Sequence, residues 1–400
     1  MTDLRKAAAI VGVHEHPTRF APDKSEWLLQ AESAIAALQD AGLEPKDIDA
    51  YFTSATQPEG GDLGACSSIM MADYLNIHPK FIDETDVGGA SFGYFMNRAI
   101  LGIQAGLFKC ALIGYGATTR SKMVNVGTLG FNDLVGKPMA ATPDSFEQIY
   151  GITVVGLMGM IAQRYMYDHS VTQEQLARVA VTMRNHAQLN PEARYRTPIT
   201  VEDVLNSGII ASPLHKLDCC LISDGGAAVI VASPEIARNC KKPPVWVLGF
   251  GESFMHHGAG HTDWSAETRN MVSRASKDCF GMAGLTTNDI DMAMIYDAFT
   301  INVLLDLEGT GFCGVGEAGA FVEAGNVDIG GSLPINPDGG GLSSNHPGRR
   351  GIFLFVEATK QLRGECGLRQ IKNVKIAACT ATGAAFLARR GTAVHVLGRD

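Results

Sequence analysis

Two distant segments of the chain read alike. Ala41-Gly42-Leu43, a gap of three and Asp47-Ile48-Asp49 recur as Ala283-Gly284-Leu285, a gap of three and Asp289-Ile290-Asp291. Each copy closes an amphipathic stretch, EWLLQAESAIAALQD in one and TRNMVSRASKDCFGM in the other. The spacing predicts a helix that stops at Gly42 or Gly284, where a left-handed C-cap favours glycine because no Cβ crowds the backbone. A β-rich run precedes each helix (AAAIVGV and PVWVLGF) and a short strand follows it (IDAYFTS and IDMAMIYDAF), so both halves begin β-α-β.

The later part of each half matches in kind: a glycine-rich turn, a helix, then a strand, in VGGASFGYFMNRAILGIQAGLFKCALIGYG and in GGGLSSNHPGRRGIFLFVEATKQLRGECGLRQIKNVKIAACTATG. A duplicated α/β unit is the expectation. Two such units joined edge to edge bring their equivalent turns together near a pseudo-twofold axis. On this pattern residues 1–116 with 221–243 form the first half and 244–400 the second. Residues 117–220 fit neither copy and read as an inserted domain of loops and amphipathic helices, used for ligand contacts or for packing.

Composition narrows the partners. The 400 residues are 46% hydrophobic, enough for a large core, and the net charge is -9 from 42 acidic and 33 basic residues. With no basic run, nucleic acid is excluded as the expected partner. No stretch approaches the ~18 unbroken apolar residues of a membrane span, so no membrane association and a cytoplasmic location are expected. The nine cysteines are scattered without a CxxC pair, which suggests neither a disulfide framework nor a metal site.

Several stretches resemble the thiolase superfamily, in its sterol-carrier-protein-type branch. They are Met158-Gly159-Met160-Ile161-Ala162 with Val171-Thr172-Gln173-Glu174-Gln175; Asp218-Cys219-Cys220 with Ser223-Asp224-Gly225-Gly226-Ala227-Ala228; Tyr296-Asp297-Ala298-Phe299; and Asn336-Pro337-Asp338-Gly339-Gly340 with Ser344-Asn345-His346-Pro347. The resemblance implies an α/β thiolase fold: duplicated halves in a five-layer α/β/α/β/α core that carries an inserted loop domain.

Acyl-transferring members of that family hold a nucleophilic cysteine at the head of the helix in the first glycine-rich turn, where backbone N–H groups and the helix dipole favour a thiolate. That turn maps onto Gly89-Ala90-Ser91-Phe92, so the nucleophile position is vacant at Gly89. Ser91 is a poor substitute, since a serine opening a helix usually caps it. His346 matches the family's proton-handling histidine, and Tyr296 ends a strand from which a phenol projects toward the same pocket; they form the candidate acid-base pair, with their order open. Ser91, Ser344, Asn345 and Gly383 are expected to line the oxyanion and substrate pocket. Cys379 is the alternative thiol, although the turn it heads lacks two of the family's glycines. Among the arginine candidates for meeting a CoA phosphate, Arg349 and Arg350 follow the His346 turn directly and are preferred to Arg164, Arg194 and Arg196.

Loss of the nucleophile beside a retained histidine and tyrosine points to chemistry needing proton transfer and an oxyanion pocket but no acyl transfer. Retro-aldol cleavage of a β-hydroxyacyl-CoA fits, because the departing carbons form the thioester enolate that a thiolase pocket stabilises. The resemblance extends to cysteine-less, thiolase-like aldolases of steroid side-chain degradation, which work with a small zinc-ribbon/OB-fold (DUF35) partner. It implies a homodimer, a heterotetramer with that partner, a CoA thioester as substrate, no covalently bound cofactor, and zinc only in the partner. The alternatives are an acetyl-CoA acetyltransferase or 3-ketoacyl-CoA thiolase, and a non-catalytic subunit that binds acyl-CoA or lipid.

Overall fold

A computed structural model describes residues 4–54, 67–125, 153–256, 263–386 and 389–399. Eleven strands occur among them: β1 (Ala9–Glu15), β2 (Ala50–Thr53), β3 (Phe81–Glu84), β4 (Cys110–Ala117), β5 (Ile209–Ala211), β6 (Leu214–His215), β7 (Gly225–Ala232), β8 (Val245–Met255), β9 (Met292–Ile295), β10 (Ile376–Phe386) and β11 (Arg389–Gly398). All but β5 and β6, which pair as a hairpin, join one mixed sheet in the order β3-β2-β4-β7-β1-β8-β11-β10-β9. Reading outward from the centre, β1-β7-β4-β2 in one half answers β8-β11-β10-β9 in the other. Among the described residues, the sheet pairs the two halves through β1 and β8, at Ala9↔Trp246 and Ile10↔Val245. The parallel bridge of Ala293 to Ile335 lies outside β9, where β3 stands in the first half.

Seven helices matter for the argument: α1 (Glu26–Ala41), α2 (Ser91–Gln104), α3 (Val154–His169), α4 (Gln173–Ala187), α5 (Trp264–Ala283), α6 (Thr300–Thr310) and α7 (Gly351–Arg363). α1 covers the outer face of the first half-sheet and α5 that of the second. α2 and α7 pack on each other and on strands of both halves, so they form the middle layer of a five-layer α/β/α/β/α core. β7 and β4 are buried nearly end to end, which is why GGAAVIVA and CALIGYG read as continuous apolar runs instead of alternating ones.

The repeated motif has a structural job. Gly42 (φ 73°) and Gly284 (φ 63°) close α1 and α5 in the left-handed region. The first aspartate of each copy caps a short 3-10 turn: Asp47 accepts from the Glu44 N–H at 2.8 Å and Asp289 from the Thr286 N–H at 2.8 Å. The last aspartate holds the start of the next strand. Asp49 accepts from the Lys109 and Cys110 N–H groups, and Asp291 from those of Lys375 and Ile376. The motif therefore fastens β2 to β4 and β9 to β10, the same connection made twice.

In the inserted region, residues 126–152 lie outside those described. Its α3 and α4 pack on α5 and α6 of the second half. The hairpin of β5 and β6 follows them, and a turn anchored by the buried Asp218 leads back to the sheet.

Candidate active site

The two equivalent glycine-rich turns meet at the N-termini of α2 and α7. Tyr296 stands just past the end of β9, with its backbone N–H donating to the Thr380 carbonyl of β10 at 3.0 Å. That hydrogen bond aims the phenol across the N-terminal turn of α2. The ring occupies the place of a side chain at residue 89: a Cβ built on Gly89 would overlap the Tyr296 ring and lie 2.8 Å from the Thr382 carbonyl oxygen. Glycine at 89 and tyrosine at 296 are thus two sides of one packing solution, and a cysteine cannot be added without moving the phenol.

The Tyr296 hydroxyl is 3.2 Å from His346 Nε2, with the rings edge to face, and it accepts from the Arg350 N–H at 3.3 Å. The Arg350 N–H takes one lone pair of the phenol oxygen and leaves the phenolic proton free for the imidazole. Both side chains are nearly enclosed, Tyr296 at 6% and His346 at 8% exposure. Burial, with the Arg350 guanidinium adding to it, lowers the His346 pKa from 6.5 to about 4. Burial pushes the Tyr296 phenol far above its ordinary value. At neutral pH the pair is therefore a neutral imidazole that accepts and a neutral phenol that donates.

What fixes His346 is a buried ionic cluster beneath its turn. Arg350, 0% exposed, pairs with Asp338 at 2.6 Å and approaches Asp297 at 3.3 Å, while its Nη1 donates to the Asn345 carbonyl at 3.0 Å. Asp297, adjacent to Tyr296, accepts from the Gly341 N–H at 2.7 Å and the Leu342 N–H at 3.2 Å. Burial outweighs the arginine at Asp297 and raises its pKa to about 6, whereas at Asp338 the arginine prevails and the pKa falls. The inserted domain braces the turn from the other side: Arg184 Nε donates to Ser343 Oγ at 2.9 Å, and the Arg194 and Tyr195 N–H groups donate to the Ser344 and Ser343 carbonyls.

Tyr296, His346, Gly89 and Gly383 line one cavity of about 230 Å³. Several expected pocket residues are not on its wall. Ser91 Oγ accepts from the Val87 N–H at 2.8 Å, which closes the turn leading into α2; it does not cap the helix, whose N-cap is Ala90. The Asn345 side chain is used at both ends, donating to Glu15 Oε1 at 3.1 Å and accepting from Ser223 Oγ at 2.6 Å. Ser344 Oγ accepts from Asn190 Nδ2 at 3.2 Å. Cys379 is buried against the Leu354 carbonyl with its thiol pushed far up by burial, away from the cavity. Arg350 must be corrected outright: a fully buried guanidinium committed to two carboxylates cannot meet a CoA phosphate. Arg349 is nearer the surface but engages Asp86 at 2.6 Å.

Sequence reasoning missed other wall residues. Val154 and Met158 come from the inserted α3, Cys220 from the segment before β7, Asn302 from α6, and Thr382 and Arg390 from the β10–β11 hairpin. Tyr296-Asp297-Ala298-Phe299 could have signalled the α6 wall, because a helix beginning at Thr300 directs Asn302 back toward the same turn. Arg390 gave no comparable signal. Among the described residues no group of three or more His, Cys, Asp or Glu side chains is arranged to hold a metal, and no helix is long and apolar enough to cross a membrane.

Comparison with known proteins gives the chain its relatives. Residues 251–399 match the family described as thiolase C-terminal domain-like. The chain is 35% identical to a steroid side-chain-cleaving aldolase of Thermomonospora curvata, over 91% of this chain and 92% of the relative. It is 33% identical to an acetyl-CoA acetyltransferase of Methanothermobacter thermautotrophicus, over 92% and 94%. The solved Ltp2-ChsH2(DUF35) aldolase superposes with a TM-score of 0.84 at 31% identity, covering 99% of each chain.

Proposed function

This chain belongs to the thiolase superfamily, in its sterol-carrier-protein-type branch, and we propose that it is a carbon-carbon lyase that cleaves a β-hydroxyacyl-CoA by a retro-aldol reaction. Relatives named for cleavage and for acyl transfer are about equally similar, so their names do not decide between the two chemistries. The observation that carries the reading is the Tyr296 ring standing where a thiolate would have to be, within hydrogen-bond reach of a neutral histidine.

In the proposed reaction the substrate hydroxyl lies against Tyr296 Oη. Its proton moves to the phenol as the phenolic proton moves to His346 Nε2. The Cβ–O bond becomes a carbonyl, the Cα–Cβ bond breaks, and its electron pair becomes the thioester enolate. The proton held at His346 then returns to Cα, so the products are a ketone or aldehyde and a shorter acyl-CoA. His346 suits this role because its low pKa keeps the acceptor form populated at neutral pH. Tyr296 suits the relay because burial keeps it protonated.

Acyl transfer would need a thiol on the same wall, and Cys220 is one. Its surroundings push that thiol far up, by burial and by the neighbouring Cys219 and Asp297, which opposes thiolate formation. The lyase is the better fit. We further propose a small zinc-ribbon/OB-fold (DUF35) partner, because the neighbour of TM-score 0.84 is named as an aldolase containing a DUF35 component, and, on the family resemblance, a homodimer that joins it in a heterotetramer. A cytoplasmic location and the absence of a covalent cofactor complete the proposal.

The test is co-expression with a small OB-fold partner and assay of a panel of β-hydroxyacyl-CoAs. Release of a carbonyl product with a shortened acyl-CoA is expected, without added CoA. An acylated cysteine peptide, or dependence on free CoA, would sink the lyase in favour of acyl transfer.

A further inference from the structure

The Ser223-Asp224-Gly225 run lies against the His346 turn, so closely that a Cβ built on Gly225 would stand 3.1 Å from Asn345 Nδ2 and 3.3 Å from Pro347 Cγ. His346 sits between the helical turn Gly340–Ser344 and α7, outside any regular element, so neither its N–H nor its carbonyl has a partner in a helix or a strand. Ser223 meets both. The His346 N–H donates to Ser223 Oγ at 3.1 Å, and the Ser223 N–H donates to the His346 carbonyl at 3.4 Å.

The Ser223 hydroxyl has one proton to give, and it goes to Asn345 Oδ1 at 2.6 Å. Asn345 Nδ2 donates in turn to Glu15 Oε1 at 3.1 Å, and the same oxygen accepts from Arg19 Nη2 at 2.6 Å. Arg19, Glu15, Asn345, Ser223 and His346 thus form one chain of hydrogen bonds, and every member is buried. Asp224 fixes its middle. The carboxylate accepts from the Ala21 N–H at 2.8 Å and the Ser121 N–H at 3.0 Å, while its own N–H donates to the Arg19 carbonyl at 3.1 Å. Glu15 ends β1 and Ser223 precedes β7, so the half whose own turn is vacant holds the turn that carries the histidine.

That hold bears on the proton transfer. The 3.2 Å between Tyr296 Oη and His346 Nε2 is at the long end of the roughly 2.6–3.2 Å over which a proton is handed across, so a small main-chain shift at 346 would part the pair. Such a shift would leave the His346 N–H and Asn345 Oδ1 buried without partners, which is what keeps it from happening.

We infer that Ser223 is a positioning residue for His346, with Asn345 and Glu15 fixing the direction of its hydroxyl. This rests on the proton-transfer reading of Tyr296 and His346.

The test has two readouts, and only one needs turnover. Ser223→Ala removes the acceptor of the His346 N–H with little change of shape; kcat for carbonyl release is expected to fall about ten- to a hundredfold with KM little changed, the effect of a misplacement of ~1 Å. In spectra of the full chain carrying isotope-labelled histidine, the His346 Nε2 resonance, assigned with His346→Gln, should move toward its value in Tyr296→Phe, which lacks the phenol hydrogen bond. Ser33→Ala is the control for loss of stability alone, because it removes a buried serine bond to the Leu29 carbonyl on α1, and it should move neither quantity. If Ser223→Ala fails to fold, Ser223→Cys, of similar shape and weaker in hydrogen bonding, carries the measurement. A resonance that stays in place, or moves no further than in Ser33→Ala, overturns the inference, and so does an unchanged kcat in an active enzyme. A moved resonance in a chain that cleaves no β-hydroxyacyl-CoA would refute the lyase and leave the positioning of His346 standing.

Discussion

The two glycine-rich turns occupy equivalent places in the two halves and are built in opposite ways. Around Gly89 the first turn is small side chains and backbone, and its space is filled from outside by Tyr296. Around His346 the second turn is tied by Arg350, Asp297, Asp338, Asn345 and residues of the inserted domain. One turn is a receptacle and the other a clamp. Duplication supplies two sites of the same shape; function follows from emptying one and rigidifying the other, so that a proton acceptor is held against a space from which the nucleophile is missing.

The largest effect should come from breaking the contact between the turns. Tyr296→Phe or His346→Ala is expected to reduce kcat by roughly 10²–10⁴, the usual contribution of a positioned acid or base, with little change in melting temperature. Steady-state kinetics beside a thermal melt checks this, and loss of folding in step with activity would reduce the pair to a packing role.

The clamp is probed by Arg350→Met. Removing the guanidinium leaves Asp297 and Asp338 buried and uncompensated, and the expected cost is about 3–5 kcal/mol in denaturant unfolding. The receptacle is probed by Gly89→Cys, which should destabilise by about 1–3 kcal/mol through its collision with Tyr296 and confer no acyl transfer. Combining it with Tyr296→Ala should recover part of that loss, a coupling that a double-mutant cycle reads directly. Additive losses would mean that the two residues do not share one space.

The smallest effect is on pH dependence. An ordinary imidazole would lose its acceptor form as pH falls through 6.5, whereas His346 should keep it until pH approaches about 4. The sign follows from burial and Arg350, both of which disfavour the protonated ring. A pH profile of kcat/KM should therefore lack an acid limb near 6.5. A limb there would place the titrating group elsewhere.

Much of the architecture could be read from the chain, because the repeat is local. Helix, glycine cap, aspartate-capped turn and strand each follow from a few adjacent residues, and two copies of that unit imply the paired halves. The vacancy at 89 and the candidates at 296 and 346 were equally readable from their motifs. By contrast, Ser344, Asn345 and Arg350 sit in the same motif as His346 yet serve the clamp rather than the cavity, since adjacent side chains on an irregular turn leave it in different directions. Arg390 carried no motif, and it reaches the cavity only through the packing of the β10–β11 hairpin.

The sequence by itself thus determined the repeat, which depends on short-range spacing, and through its resemblance to a family it pointed to the vacancy at Gly89 and to Tyr296 and His346 as candidates. Only the tertiary structure decided that the phenol fills the vacant position, that burial beside Arg350 makes His346 an acceptor, and that an arginine expected to meet a CoA phosphate is a buried brace. Those outcomes depend on which side chains from distant segments share one small volume and on how far that volume is shielded from water. Neither property is carried by neighbouring residues in the chain.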